Sequence, residues 1–160
     1  MPEQTLHEYE ILPEEIASEY LSHGFSEEKL TIKNVNFDLE ARTAVADVDV
    51  STDFENSYDA YDNSFHWSAI TAYRAVSQLA VGYICTELGK TKKQVGEIMQ
   101  MSSNMNTTSP ITQTKDVHVK VSFPKYIKRE KRLLGELQFD VANRVFFGSM
   151  RFAINLARSF

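Results

Sequence analysis

The stretch from Phe65 to Leu88 constrains this chain more than any other. Ala69, Ile70, Tyr73, Val76, Leu79, Ala80, Tyr83 and Ile84 recur at helical spacing and cover more than half of a helix circumference. Between Trp67 and Thr86 the one charged residue is Arg74. The pattern predicts a helix over 65–88, buried on most sides, capped by Asn63 or Ser64 and closed by Gly89. Lys90, Lys92 and Lys93 follow its negative end. Its most apolar part, Ala75–Cys85, is about half the length needed to cross a bilayer and contains Ser77 and Gln78. Met1–Glu10 is acidic and polar, without the apolar core of a signal sequence. The expectation is a cytoplasmic protein with no membrane insertion.

Such a helix needs cover, and the flanking segments are patterned to supply it. Leu12-Pro13-Glu14-Glu15 opens a short helix over about 12–23, with Ile16, Tyr20 and Leu21 at helical spacing and Gly24 just beyond. Leu30 and Ile32, then Val35 and Phe37, alternate with a change of phase that predicts a bulge near Asn34. Asp38–Arg42 forms the turn, and Ala44, Ala46, Val48 and Val50 alternate with Val45, Asp47 and Asp49. Residues 53–64 are polar and aromatic, a loop pattern. A further short helix is expected within 91–100 and a loop over Met101–Pro110. Val117–Phe123, Leu133–Val141 and Phe146–Ile154 then alternate, an antiparallel meander within about 115–156.

One dominant helix and an antiparallel sheet define an α+β, hot-dog arrangement, here a single domain over 1–160. A ferredoxin-like fold needs two amphipathic helices of similar weight. One curved sheet covers only part of so apolar a helix, so a homodimer or higher homo-oligomer is expected.

Composition removes several functions. The 17 Lys+Arg against 22 Asp+Glu give a net charge of −5, without the basic excess of a nucleic-acid binder. The single Cys85 excludes an internal disulfide and a multi-Cys zinc site, and its apolar neighbours suit a buried thiol. His7, His23, His66 and His118 lack metal-ligand spacing, and neither a phosphate-cradling Gly-rich loop nor a Gly-x-Ser-x-Gly elbow occurs. No metal and no cofactor are expected.

Chemistry-bearing side chains concentrate at the helix entry, from Tyr58 through Tyr61, Asp62, His66 and Trp67 to Ser68. Helix N-termini present unpaired N–H groups that stabilise a developing oxyanion. His66 suits a general base or hydrogen-bond donor, or a capping or core-edge histidine; Asp62 or Asp59 suits a base or nucleophile, or a charge complement to the helix N-terminus. Tyr58 and Tyr61 offer hydroxyls to a substrate. His66, Ile70, Tyr73 and Ser77 fall on one helical face, and Tyr73, Val76 and Ala80 are candidates to line an acyl chain. The basic run Lys125–Arg132, with Lys128, Arg129 and Arg132, suits CoA phosphates or an acidic carrier protein, or simply a solvated hairpin.

The strings His66-Trp67-Ser68-Ala69-Ile70 and Ser77-Gln78-Leu79-Ala80 resemble the central-helix signature of the FcoT-like long-chain fatty acyl-CoA thioesterases. Ser102-Ser103 and Pro110 fall where that family has its Ser-Ser loop. The resemblance spans roughly 12–155 and implies a hot-dog fold and thioester recognition near the helix entry. It implies a Tyr ahead of the His, for which Tyr61 is the nearest match. Two of the family's Asn positions are Ser68 and Ser77 here. The expected activity is thioester hydrolysis on acyl-CoA or acyl carrier protein, with His66, Tyr61, Asp62 and Ser68 catalytic. Tyr58, Trp67, Tyr73, Ser77, Lys128, Arg129 and Arg132 are expected to bind substrate. Dehydration of 3-hydroxyacyl thioesters is the alternative within lipid or secondary-metabolite biosynthesis; the absence of Asp and Glu between Trp67 and Thr86 disfavours it. A non-catalytic acyl-binding module is the third reading.

Overall fold

The computed structural model describes residues 28–51, 66–129 and 131–156. The expected helix at 12–23 and loop at 53–64 lie outside them. Strand β1 (Lys29–Asp38) pairs antiparallel with β2 (Thr43–Ser51). The pairing slips between Lys33 and Asn36, the expected bulge, where Asn34 takes φ 52°. Asp38 fastens the turn by accepting the Ala41 N–H at 2.8 Å. Ala44, Ala46, Val48 and Val50 point into the core while Val45, Asp47 and Asp49 stay half-exposed, the alternation of a one-sided sheet.

Helix α1 (Ala69–Leu88) starts four residues later than expected. The cap is Ser68, in extended conformation, and not Asn63 or Ser64. Its Oγ accepts the Thr71 N–H at 3.0 Å, satisfying one first-turn donor. What sets the boundary is the segment before it. The Trp67 N–H donates to the Ile111 carbonyl and its indole N–H to the Gln113 carbonyl, both at 2.9 Å. At the far end Gly89 adopts φ 61°; its N–H bonds the Thr86 carbonyl and that of Lys90 bonds Cys85, closing a Schellman motif.

A short helix α2 (Lys92–Val95) leads directly into β3 (Gly96–Thr107). The loop expected over Met101–Pro110 is a strand as far as Thr107. Its exposed side chains carry no clear alternation, and its pairing with β6 (Phe146–Leu156) alone makes it a strand. β4 (Val117–Arg129) and β5 (Arg132–Val141) complete a six-stranded antiparallel sheet of order β1-β2-β4-β5-β6-β3. The three C-terminal strands match the predicted meander, and the basic run ends β4 rather than forming a loose connection.

Helix α1 lies chiefly over β1, β2, β4 and β5. Ala72, Ala75, Val76, Leu79, Ala80, Tyr83 and Ile84 bury against Val48, Val119, Val121, Phe123 and Leu133. Tyr83 stacks on Phe123 at 4.3 Å between centroids and meets Phe37 edge-on. Within this chain the helix is not buried on most sides: Ile70, Tyr73, Ser77, Val81 and Cys85 remain half-buried and Gln78 exposed. No helix among the described residues is long and apolar enough to cross a membrane.

Candidate functional site

Because α1 covers one part of the sheet and leaves β6 and β3 largely uncovered, a cavity of about 410 Å³ opens between them. Tyr73, Ser77, Ala80, Val81 and Ile84 form its helix wall. Ile98, Gln100, Leu137, Met150 and Phe152 form its sheet wall, and Lys92 also lines it. Phe152 closes over Gly135, where any Cβ would strike its ring at 2.5 Å. Val76, expected in this lining, is fully buried in the core instead. It lies on the sheet-facing stripe, one residue before Ser77.

A second cavity, about 320 Å³, sits at the helix entry. His66, Ser68 and the 107–109 segment line it, over Trp67, Ala72 and Phe146. His66 precedes the helix, so it does not share a helical face with Tyr73 and Ser77, and it opens onto a different cavity. Trp67 is buried, and both of its N–H groups are committed to backbone carbonyls. Of the amides that begin α1, those of Ala69 and Ile70 lack intrahelical partners by geometry, while that of Thr71 is taken by the Ser68 hydroxyl.

A third cavity, about 790 Å³, runs along the other flank of α1. Tyr73, Ser77, Val81 and Lys92 line both this cavity and the first, so the outward helix face separates them. It also holds a residue that the sequence did not single out. Glu28 is 3% exposed, and its Oε2 accepts the Thr71 hydroxyl at 2.7 Å. Arg74 lies 3.6 Å from the same oxygen and bonds the Glu28 carbonyl at 3.2 Å. A buried carboxylate needs partners of this kind to remain charged. Nothing in the local sequence marks Glu28, since Thr71 and Arg74 lie more than forty positions away.

Lys128, Arg129 and Arg132 are exposed at the tip of the β4–β5 hairpin. Val141, at the other end of β5, pairs with Phe146 beside the His66 cavity. At about 3.3 Å per residue, β5 separates the two by roughly 30 Å. The fold of this chain thus does not bring the basic residues to His66. Tyr58, Tyr61 and Asp62 lie outside the described residues. Burial raises the pKa of the Cys85 thiol, consistent with an inert side chain. No group of metal-ligating side chains occurs among the described residues.

The fold has solved relatives. The acetyl-CoA-bound smu.793 protein of Streptococcus mutans matches with TM-score 0.53 and 8% identity, over 81% of this chain and 92% of that one. An HP0420 homologue of Helicobacter felis matches with TM-score 0.49 and 15% identity, over 81% and 80%. A hypothetical thioesterase of Streptococcus pneumoniae, solved with coenzyme A, gives 0.47 and 10%, over 88% and 97%. At 8% identity the Streptococcus mutans likeness is one of fold, and the arrangement is hot-dog-like. No family model and no curated protein sequence matches the chain.

Proposed function

We propose that this protein binds a fatty acyl thioester, on CoA or an acyl carrier protein, and hydrolyses it. The observation that carries the reading is the cavity between α1 and β5, β6 and β3, apolar except for Tyr73, Ser77, Gln100 and Lys92. Such a lining suits an alkyl chain with a polar group at one end. The shared fold of an acetyl-CoA-bound protein supports a thioester in particular. The FcoT-like resemblance at His66–Ile70 and Ser77–Ala80 supports the same chemistry.

In this reading the thioester carbonyl lies at the start of α1, where first-turn amides and Tyr61 polarise it. Water, activated by His66 or Asp62, attacks the carbonyl carbon. The tetrahedral intermediate collapses with cleavage of the C–S bond, and the thiol leaves with a proton. Ser68 and Tyr58 hold the polar end; Trp67, Tyr73 and Ser77 border the acyl path. The working unit is a cytoplasmic homodimer or larger homo-oligomer. Two features support assembly: the half-buried outward face of α1, and β3, an edge strand with exposed Met99, Met101 and Met105. Lys128, Arg129 and Arg132, distant within a protomer, meet the CoA phosphates or a carrier protein across that assembly.

The test is free-thiol release from acyl-CoAs and acyl carrier proteins of short to long chain. Wild type is run beside His66→Ala, Tyr61→Phe and Asp62→Asn. Release that collapses in one variant supports hydrolysis and separates the two bases. No release from any substrate refutes it, and mass spectrometry of the same mixtures then distinguishes loss of water from simple binding.

A further inference from the structure

The cavity at the helix entry and the cavity beside β1 are joined by an unbroken line of hydrogen-bonding side chains. Ser68 Oγ lies 2.9 Å from Thr71 Oγ1, and Thr71 Oγ1 lies 2.7 Å from Glu28 Oε2. Ser68 lines the His66 cavity, Glu28 lines the cavity on the opposite flank, and Thr71 between them is fully buried. The directions of the bonds follow from proton counting. Thr71 has one hydroxyl proton, and it goes to the Glu28 carboxylate. Ser68 must then donate its own proton to Thr71 Oγ1, while its lone pair accepts the Thr71 N–H. Both hydroxyl donors point the same way, from the entry cavity towards the buried carboxylate.

A purely structural tie between β1 and α1 does not need this polarity. A hydroxyl on the helix bonded to any acceptor on the strand would serve. What the observed order adds is a path by which a proton lost at Ser68 arrives on Glu28 with two short transfers and no rotation of heavy atoms. Arg74 stabilises the carboxylate before transfer, and the burial of Thr71 keeps water from short-circuiting the path.

We infer that Ser68, Thr71 and Glu28 form a proton relay, with Glu28 the final acceptor for the nucleophile at the helix entry. The inference rests on the hydrolase reading and gives it a base that neither His66 nor Asp62 has to supply. As water attacks the thioester carbonyl carbon, its proton passes to Ser68 Oγ. The Ser68 proton passes to Thr71, and that of Thr71 to Glu28, which becomes neutral. When the C–S bond breaks, the same chain runs backwards and returns a proton to the leaving thiolate. The water's hydroxyl ends on the acyl carbon as a carboxylic acid and its proton on the thiol, and the three side chains end as they began. Ser68 touches the reacting water; Thr71 and Glu28 are positioning residues that act through it.

The experiment has two arms. The first measures steady-state thiol release for wild type, Glu28→Gln, Thr71→Val and Thr71→Ser, with thermal melting of each. Gln keeps the shape of Glu28 and an oxygen for the Thr71 hydroxyl, so the fold is expected to survive. General-base contributions run to roughly 10²–10⁴-fold, and a kcat loss in that range with little change in KM is expected for Glu28→Gln and Thr71→Val. Thr71→Ser restores the hydroxyl and is expected to restore most of the rate. The second arm needs no substrate: with ¹³C-labelled Glu, Ser and Thr, nuclear magnetic resonance follows Glu28 during a pH titration. Arg74, Lys29 and Lys92 are the charged groups lining the Glu28 cavity among the described residues, and Arg74→Gln serves as control. The Ser68 Cβ signal is expected to follow the Glu28 transition in wild type and Arg74→Gln, and to lose it in Thr71→Val. A wild type that releases thiol while Glu28→Gln releases it equally fast overturns the relay and leaves the hydrolase reading standing. A wild type inactive on every thioester removes that reading and this use of the chain. A Ser68 signal blind to Glu28 overturns the relay whatever the activity.

Discussion

The two parts of the sheet obey different rules. Under α1, strands β2 and β4 bury every second side chain, and the inward residues Ala44, Ala46, Val48, Val117, Val119 and Val121 are at most 1% exposed. Across the sheet, the edge strand β3 is paired along its length with β6 alone, yet from Met99 to Thr107 each of its side chains is exposed. The covered region is held by packing, and the open one by backbone pairing with β6. A strand is therefore not evidence of a core. The cavity of about 410 Å³ lies where the first regime gives way to the second, which is where a chain of this size has room for a ligand.

The largest test of that contrast is a pair of truncations. Leu79→Ala, beneath the helix, is expected to cost about 2–5 kcal/mol in urea denaturation. Met105→Ala, on the open strand, is expected to stay within about 0.5 kcal/mol at low protein concentration. If Met105→Ala costs as much as Leu79→Ala, the open region is covered in solution, and gel filtration will show the copy that covers it.

Next comes the aromatic stack in the covered region. The Tyr83 hydroxyl is buried with no hydrogen-bond partner among the described residues, and burial, reinforced by the nearby Glu87 carboxylate, raises its pKa. Tyr83→Phe removes an unsatisfied polar atom and keeps the stacking on Phe123. A gain of about 1 kcal/mol is expected; a loss would show that the hydroxyl is hydrated. Gly89→Ala follows, with an expected cost of about 1 kcal/mol, because φ 61° crowds a Cβ. Open space around that position leaves backbone conformation as the whole effect, so an unchanged melting temperature would contradict it.

The smallest effect belongs to the wet outer face. Lys33 bridges Asp49 at 2.8 Å and Asp116 at 2.7 Å, and Asn34 and His118 hold Asp47. Hydrogen bonds from Asn34 and His118 lower the Asp47 pKa, and those from Lys33 and the Asp116 N–H lower that of Asp49. Bonds to Asp116 and Asp49 raise that of Lys33. A lowered carboxylate contributes stability above its unfolded value and loses it as pH falls through the folded one. A raised amine contributes below its unfolded value and loses it as pH rises through the folded one. The Lys33–Asp49 pair is thus complete between about pH 4 and pH 10. Comparing wild type with Lys33→Met, the gap in urea midpoint should be flat in that window and shrink below it. A gap that persists well below about pH 3 would place the contribution elsewhere.

Where apolar residues alternated against a buried face, the sequence was legible. The β1–β2 hairpin, its bulge at Asn34, the three C-terminal strands and the Gly89 stop all carried local signals. β3 carried none, because Met101-Ser102-Ser103-Asn104 faces water on both sides and only the β6 backbone orders it. The helix start was misplaced for a similar reason: several residues before Ala69 are plausible caps, and the anchoring of Trp67 to Ile111 and Gln113 chooses among them. His66 and Ser68 were visible in the candidate site as a polar cluster at a helix entry. Glu28 was not, since one acidic residue beside Lys29 looks like any surface charge.

By itself, then, the amino-acid sequence determined one helix too apolar for solvent and strands patterned to cover it. Those are properties of neighbours in the chain, written in spacing and composition. Only the tertiary structure decided which part of the sheet the helix covers, that a polar segment becomes an edge strand, and that Glu28 is buried against Thr71. Each of those depends on what distant residues desolvate or pair, and a buried carboxylate acquires its character from partners that the chain brings together only on folding.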